Sequence, residues 1–453
     1  MAAFRLPIRR RQDDSGSNVL VPGGTWMGVD GQTPVARTAG RRGLLRGGLR
    51  LGASALIGAA APRAANADTA SPPADPIWSQ SLGPGVVSRV YGVPSHFEKD
   101  VIRRNVPFLT ATPESSVSFT PLQSQTGIIT ASGLFFERYH AGRPTVDPSQ
   151  HRLMVHGMVD QPRLFTMQDL HRFPSVSRIH FIECPANGGM EWRAAQLNSL
   201  QFTHGMIGCA EWTGVKVSTV FNEVGIKSTG KWVLVEGADA AHMARSIPLE
   251  KLLDDCLLVY GQNGEALRPE QGYPLRLLVP GWQGNVNVKW IRRLQIGDQP
   301  WFTREETAKY TELMPDGKAR GFTWPIYAKS VITFPCPEMP VHGAGIYEIR
   351  GFAWSGLGRI RQVDVSVDGG INWSRAALGD PVLPKALTRF TLPWRWDGKP
   401  ALLQSRAVDE TGFVQPTIAQ LRSVRGTNAI YNNNSIQTWQ LKADGSVYDV
   451  ELG

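Results

Sequence analysis

From residue 126 the spacing of apolar positions changes several times. HRLMVHGMV (151–159) and KWVLVEGA (231–238) predict strands, whereas FTMQDLHRF (165–173) and WTGVKVSTVFNEVG (212–225) carry apolar residues at helical spacing. The second of these stops at Gly225, a reasonable helix end. YPLRLLVPGW (273–282) and VKWIRRLQIG (288–297) predict further strands around a turn. Beyond about 325 the helical period disappears. IYEIRGFAW (346–354), IRQVDVSVDGGINWSRAAL (360–378), RFTLPWRW (389–396) and LLQSRAVDETG (402–412) read as short alternating strands. Asp368-Gly369-Gly370 and Asp397-Gly398 punctuate them as turns. The expectation is an α+β chain: a mixed α/β domain over 126–322, then an immunoglobulin-like β-sandwich over 325–453. Residues 68–125 are rich in Pro and Ser, with few long apolar runs, and predict an arm lying over the surface.

Length and composition agree with an ordinary folded protein of two or three domains: 453 residues, 42% hydrophobic and 19% charged. The net charge of +9 raises a nucleic-acid reading, which its distribution removes. Residues 1–67 contain ten arginines, no lysine and three aspartates, whereas the remainder is close to neutral. The basic segment reads GRRGLLRGGLRLGASALIGAAAPRAANA (40–67). Arg41 and Arg42 precede a modest apolar stretch and an Ala-Asn-Ala ending, the order of an export signal. Its apolar part is too short to span a bilayer, and the paired arginines point to the twin-arginine route, which exports folded proteins. Residues 1–67 are therefore expected to be a signal peptide, and the protein to be periplasmic with no membrane span.

Candidate chemistry centres on FIECPANGG (181–189), where a lone cysteine ends an apolar run and enters a glycine loop. A cysteine in such a run is usually a buried structural residue. The four cysteines (184, 209, 256, 336) show no CxxC, CxxCH or CxxH spacing, which excludes a c-type haem site and a cysteine zinc site. One disulfide remains possible in an oxidising compartment, between a pair the sequence does not specify.

The neighbourhood of Cys184 adds a resemblance. FFERYHAGRP (135–144), VHGMV (155–159), FIECPAN (181–187), EGAD (236–239), GYPLRLLVPGWQGNVNVKWI (272–291) and VDVSVDGGINW (363–373) occur in one order. That order resembles the sulfite oxidase family of molybdenum enzymes over about 126–453. ECPANGGMEW and ETAKYTELMPDGKARGF (306–322) look like its sulfane dehydrogenase branch.

The resemblance implies a molybdopterin-bound molybdenum with Cys184 as its single protein thiolate, a donor soft enough for the metal. It places Phe136, Glu137, Arg138, Tyr139 and His140 at the pterin, with Tyr139 where an asparagine is common. Asp239, Gln271, Arg276, Asn287, Val288 and Lys289 fall on the remaining cofactor positions, Gln271 where relatives have histidine. Taken without the resemblance, Asp239, Arg276 and Lys289 read as solvated surface charges. At the substrate end the resemblance puts Arg138, Tyr310 and Arg425, guanidinium groups being suited to sulfur oxyanions. Cys209, Cys256 and Cys336 match no family ligand and are expected to be structural. The implied activity is oxygen-atom transfer to sulfur, with electrons leaving to a c-type cytochrome because no haem or flavin motif is present.

Gly188 and Gly189 stand where members acting on free sulfite carry arginines. Their lower charge and bulk favour a larger, less charged substrate, such as sulfane sulfur carried as a persulfide on a cysteine of a carrier protein. On that reading Gly189→Arg would favour sulfite; the alternative is that the glycines serve only a tight turn. The sandwich is expected to carry a homodimer contact within a heterotetramer, so that its removal costs dimerisation and substrate affinity. Two other readings remain: a sulfite dehydrogenase, and a non-catalytic periplasmic binding protein in which Cys184 is merely buried.

Overall fold

The computed structural model describes residues 92–106 and 109–452, which belong to one compact unit. The expected signal peptide and residues 68–91 of the expected arm lie outside the described residues. The described part of the arm is built into the fold. Arg104–Asn105 and Val117–Phe119 join Glu137–Arg138 in an antiparallel three-stranded sheet, with Val117 paired to Arg138.

Two five-stranded sheets form the first half. One has the order Arg163–Phe165, Leu153–Gly157, Ile291–Gly297, Trp232–Gly237, Ala244–Pro248, and its only parallel pair joins 153–157 to 291–297. The other runs Glu265–Ala266, Leu257–Gln262, Ile207–Lys216, Ser175–Glu183, with Arg276–Leu278 also paired to 257–262. Helix Met167–Arg172 forms as its spacing predicts and is started by a capping box between Thr166 and Asp169.

The helix expected over 212–225 is confined to Val217–Val224. Residues 212–216 instead end the strand Ile207–Lys216, which pairs on both sides, with Ser175–Glu183 and with Leu257–Gln262. Two flanking strands supply every backbone bond there, and Thr213 and Val215 are β-branched, so tertiary pairing overrides the helical period. Only Arg276–Leu278 of the 273–282 run is a strand.

The second half is the sandwich. A four-stranded sheet (Lys329–Phe334, Gly345–Trp354, Thr388–Trp396, Ala377–Leu378) faces a five-stranded one (Ser374–Arg375, Ile360–Ser366, Ala401–Asp409, Thr438–Leu441, Val447–Val450). Gly369, Gly370 and Gly398 have positive φ at the expected turns. The halves share a core: Phe181, Leu200, Ile207 and Cys209 of the first half pack in the same buried cluster as Val331, Phe352, Trp354 and Trp439. Cys256 and Cys336 are buried as well, and all four cysteines are free thiols.

Candidate functional site

The strand Ser175–Glu183 ends one residue before Cys184, and the loop that follows is held at every turn. Cys184 N donates to Met206 O (3.0 Å), and Asn187 N donates back to Cys184 O (2.9 Å). Asn187 Oδ1 accepts from Met206 N (3.0 Å), while its Nδ2 donates to Glu183 Oε1 (2.8 Å). These bonds turn the thiol of Cys184 into a cavity lined by Phe136, Arg138, Tyr139, His140, Asp239, Gln271, Arg276, Asn287, Val288, Lys289 and Tyr310. All but two of the residues expected at the site therefore converge here. Cys184, Arg138, His140 and Tyr310 also line a wider funnel, so the thiol sits where cavity and funnel meet.

The electrostatics of the cavity call for an anion. Arg276 is 3% exposed, and its Nη1 and Nη2 donate to Gln271 O (2.9 Å) and Asn287 O (3.1 Å), while Nε has no partner. Burial alone lowers its pKa to about 9. Lys289 Nζ donates to two backbone carbonyls, those of Arg138 and Glu270 (both 3.0 Å), between the rings of Tyr139 and Trp290. Burial, followed by the charge of Arg276, brings its pKa down to about 7. Two buried cations bonded mainly to carbonyls are costly unless a negative ligand compensates them. A phosphate- and dithiolene-bearing pterin supplies that charge, so the residues fit the molybdenum cofactor.

This gives a pH dependence. The lowered Lys289 pKa means that the unfolded chain holds a proton the empty folded protein lacks between pH about 7 and the ordinary lysine value of about 10.4. Cofactor-free protein should therefore gain stability as pH rises through that window, and Lys289→Met should remove this gain. An anion in the cavity raises the lysine pKa, so retention should be strongest below pH about 7 and weaken above it. Thermal unfolding and cofactor retention across this range, against Lys289→Met, check both statements.

Tyr310 and His140 form a pair, Tyr310 OH lying 2.8 Å from His140 Nε2. Burial lowers the His140 pKa to about 3, helped by the nearby Arg138, and burial raises that of the Tyr310 phenol, so both are neutral. Tyr310 has φ +51°, as Trp290 has +52°, a left-handed conformation that aromatic residues adopt only when held. The ring of Tyr431 and the guanidinium of Arg245 pack on Tyr310 at 5.1 and 5.3 Å. The Cys184 thiol is raised by burial, while Arg138 pulls it down; a metal would remove its proton outright.

Two expected residues are not brought to the cavity. Glu137 points away from it, accepting from Ser118 Oγ (3.2 Å) and from Tyr139 OH and lying 3.5 Å from Arg103 Nη1. Its alternation along the strand Glu137–Arg138 sends the carboxylate to the opposite face from Arg138. Arg425 is the last residue of helix Ile418–Arg425 and lines neither cavity nor funnel. It is held by the buried carboxylate of Glu312 and donates to Asn432 O (2.8 Å), with its guanidinium over the Trp192 ring. That carboxylate compensates its charge.

Several residues were not anticipated. Met243, Asn285 and Trp290 also line the cavity, and Met190, Trp192, Arg193, Lys309, Ile430 and Tyr431 are among the walls of the funnel. The run Tyr431-Asn432-Asn433-Asn434 was a signal: three consecutive amides suit a strap. Asn432 N donates to Pro185 O (2.6 Å), and Asn433 Nδ2 to Gly188 O (3.0 Å).

The strap also explains the glycines. A Cβ on Gly189 would lie 2.6 Å from Ile430 O, and Gly188 has φ +77° with Lys329 Nζ 3.0 Å from its would-be Cβ. The expectation that Gly189→Arg favours sulfite is therefore corrected: close approach of backbone alone requires glycine. Gly189→Ala should displace the strap, cost about 1–3 kcal/mol and lower turnover on any substrate alike. Denaturant unfolding with parallel assays checks this.

A mixed domain with a thiol-ended strand, a buried cationic cavity and a following β-sandwich define a class. Residues 140–304 match the oxidoreductase molybdopterin binding domain, and 320–439 the Mo-co oxidoreductase dimerisation domain. The chain is 32% identical over 325 residues to sulfite oxidase of Gallus gallus, spanning 66% of this chain and 70% of that protein. It is 30% identical over 332 residues to mitochondrial sulfite oxidase of Mus musculus, spanning 66% of this chain but only 60% of the relative. The chain belongs to the sulfite oxidase family of molybdenum enzymes. Among solved structures it is similar to the sulfane dehydrogenase SoxCD from Paracoccus pantotrophus, with 54% identity, a TM-score of 0.82, and coverage of 83% of this chain and 97% of that one.

Proposed function

We propose that the protein is the molybdenum subunit of a periplasmic sulfane dehydrogenase, oxidising sulfane sulfur carried on a partner protein and passing electrons to a c-type cytochrome. The observation that carries this reading is the funnel. It is wide, and its walls combine Leu109, Val117, Phe119, Met190, Trp192, Phe202 and Ile430 with the cations Arg138, Arg193 and Lys309. Free sulfite is small against such an opening, whereas a peptide-borne persulfide can fill it. The similarity to SoxCD supports the same reading.

When bound, the cofactor supplies a two-electron couple and a transferable oxygen. The chain's own residues divide the remaining work. Cys184 would be its thiolate ligand. Arg276 and Lys289 would hold its anionic part, with Gln271, Asp239, Asn287 and Val288 shaping the wall. Arg138, on the boundary of cavity and funnel, would orient the oxygenated sulfur. Tyr310, neutral and fixed through His140, would donate a hydrogen bond there without adding charge.

Homodimerisation through the sandwich within a heterotetramer, and twin-arginine export through Arg41 and Arg42, belong to the same proposal; light scattering of the purified complex and cell fractionation test them. Among the described residues no helix is long and apolar enough to cross a membrane. Steady-state assay with a cytochrome acceptor tests the substrate. Higher kcat/KM for carrier-bound persulfide than for sulfite is expected; the reverse order would make the protein a sulfite dehydrogenase.

A further inference from the structure

The buried cation nearest the cysteine loop comes from the sandwich. Lys329, 2% exposed, opens the strand Lys329–Phe334 and reaches into the first half. Its Nζ lies 3.3 Å from Glu183 Oε1 and donates to Asn187 O at 3.0 Å, beside the ring of Trp354. The other oxygen of Glu183 accepts from Trp354 Nε1 at 2.7 Å. Glu183 is 3% exposed and immediately precedes Cys184. Its carboxylate is thus a buried negative charge one residue from the thiol, and its ion-pair partner comes from the neighbouring half of the molecule.

We propose that Lys329 is a positioning residue for the metal site: it neutralises Glu183 and fixes Asn187, and so sets the field and the loop geometry at Cys184. This rests on the reading that Cys184 holds molybdenum. A buried charge close to a redox centre shifts its potential because no water screens it. Removing the cation stabilises the more positive, oxidised metal and makes it harder to reduce. In Lys329→Met the donors Trp354 Nε1 and Asn187 Nδ2 still reach Glu183. Trp354→Phe removes only one donor, leaves Lys329 in place, and should act in the same direction with smaller size. A merely structural role for Lys329 predicts a lower yield of loaded protein, with the loaded fraction unchanged in potential.

The test is a redox titration of the holoenzyme followed by paramagnetic resonance of the metal, with metal content measured in parallel. The expected order of midpoint potentials is wild type highest, Trp354→Phe lower, Lys329→Met lowest. Loaded variants with the wild-type potential would overturn the proposal. Should Lys329→Met yield no loaded protein, Trp354→Phe decides the question by itself. A wild-type protein that binds no molybdenum would instead refute the ligand reading of Cys184, which is a separate result.

Discussion

Replacing Cys184 with serine is expected to lower turnover by at least about a thousand-fold, about 4 kcal/mol in barrier height, while the fold survives. The hydroxyl is a harder donor than a thiolate and keeps its proton at neutral pH, so the metal would lose its one protein sulfur. The backbone of the loop does not depend on the side chain. Cys184 N and O are bonded to Met206 and Asn187, and Pro185 O and Gly188 O are bound by the asparagine strap. Burying a hydroxyl at a 7% exposed position costs about 1–3 kcal/mol, within a usual stability of about 5–15 kcal/mol. Turnover and thermal unfolding of the variant measure the two effects separately. Wild-type turnover would defeat the thiolate assignment.

Deleting residues 326–453 should disrupt the first half of the molecule itself. Phe181, Leu200, Ile207 and Cys209 are at most 1% exposed and pack against the sandwich. Each large apolar side chain contributes about 1.5–3 kcal/mol when fully buried, so their exposure approaches the stability of a whole domain. The same deletion removes Lys329 and Trp354 from Glu183, and Asn432 and Asn433 from the cysteine loop. The remaining fragment is expected to be insoluble or to lack a cooperative unfolding transition. A soluble fragment that unfolds cooperatively would contradict the shared core.

The sandwich was legible because its strands alternate and its turns carry glycine at left-handed positions. The cavity was legible largely through the resemblance, since Asp239, Arg276 and Lys289 read in isolation as surface charges. Local patterns could not show that Lys289 is buried under Tyr139 and Trp290, which depends on the packing of segments 150 residues apart. Residues 212–216 illustrate the converse: a helical spacing was displaced by two flanking strands. Arg425 lies outside the cavity lining for a further reason. A charged residue near a site in sequence order carries no record of its counter-ion, and Glu312, 113 positions away, takes it. The glycine loop was read as a matter of charge, whereas the approach of the 430–433 strap, invisible in a local window, imposes it.

Molybdenum analysis with absorption spectroscopy at the metal edge tests the central claim most directly. Protein purified from a host that makes the cofactor should contain molybdenum in stoichiometric amount, with a sulfur shell that loses one thiolate in Cys184→Ser. Protein matured in that host without molybdenum, or a sulfur shell unchanged by the substitution, would contradict the account.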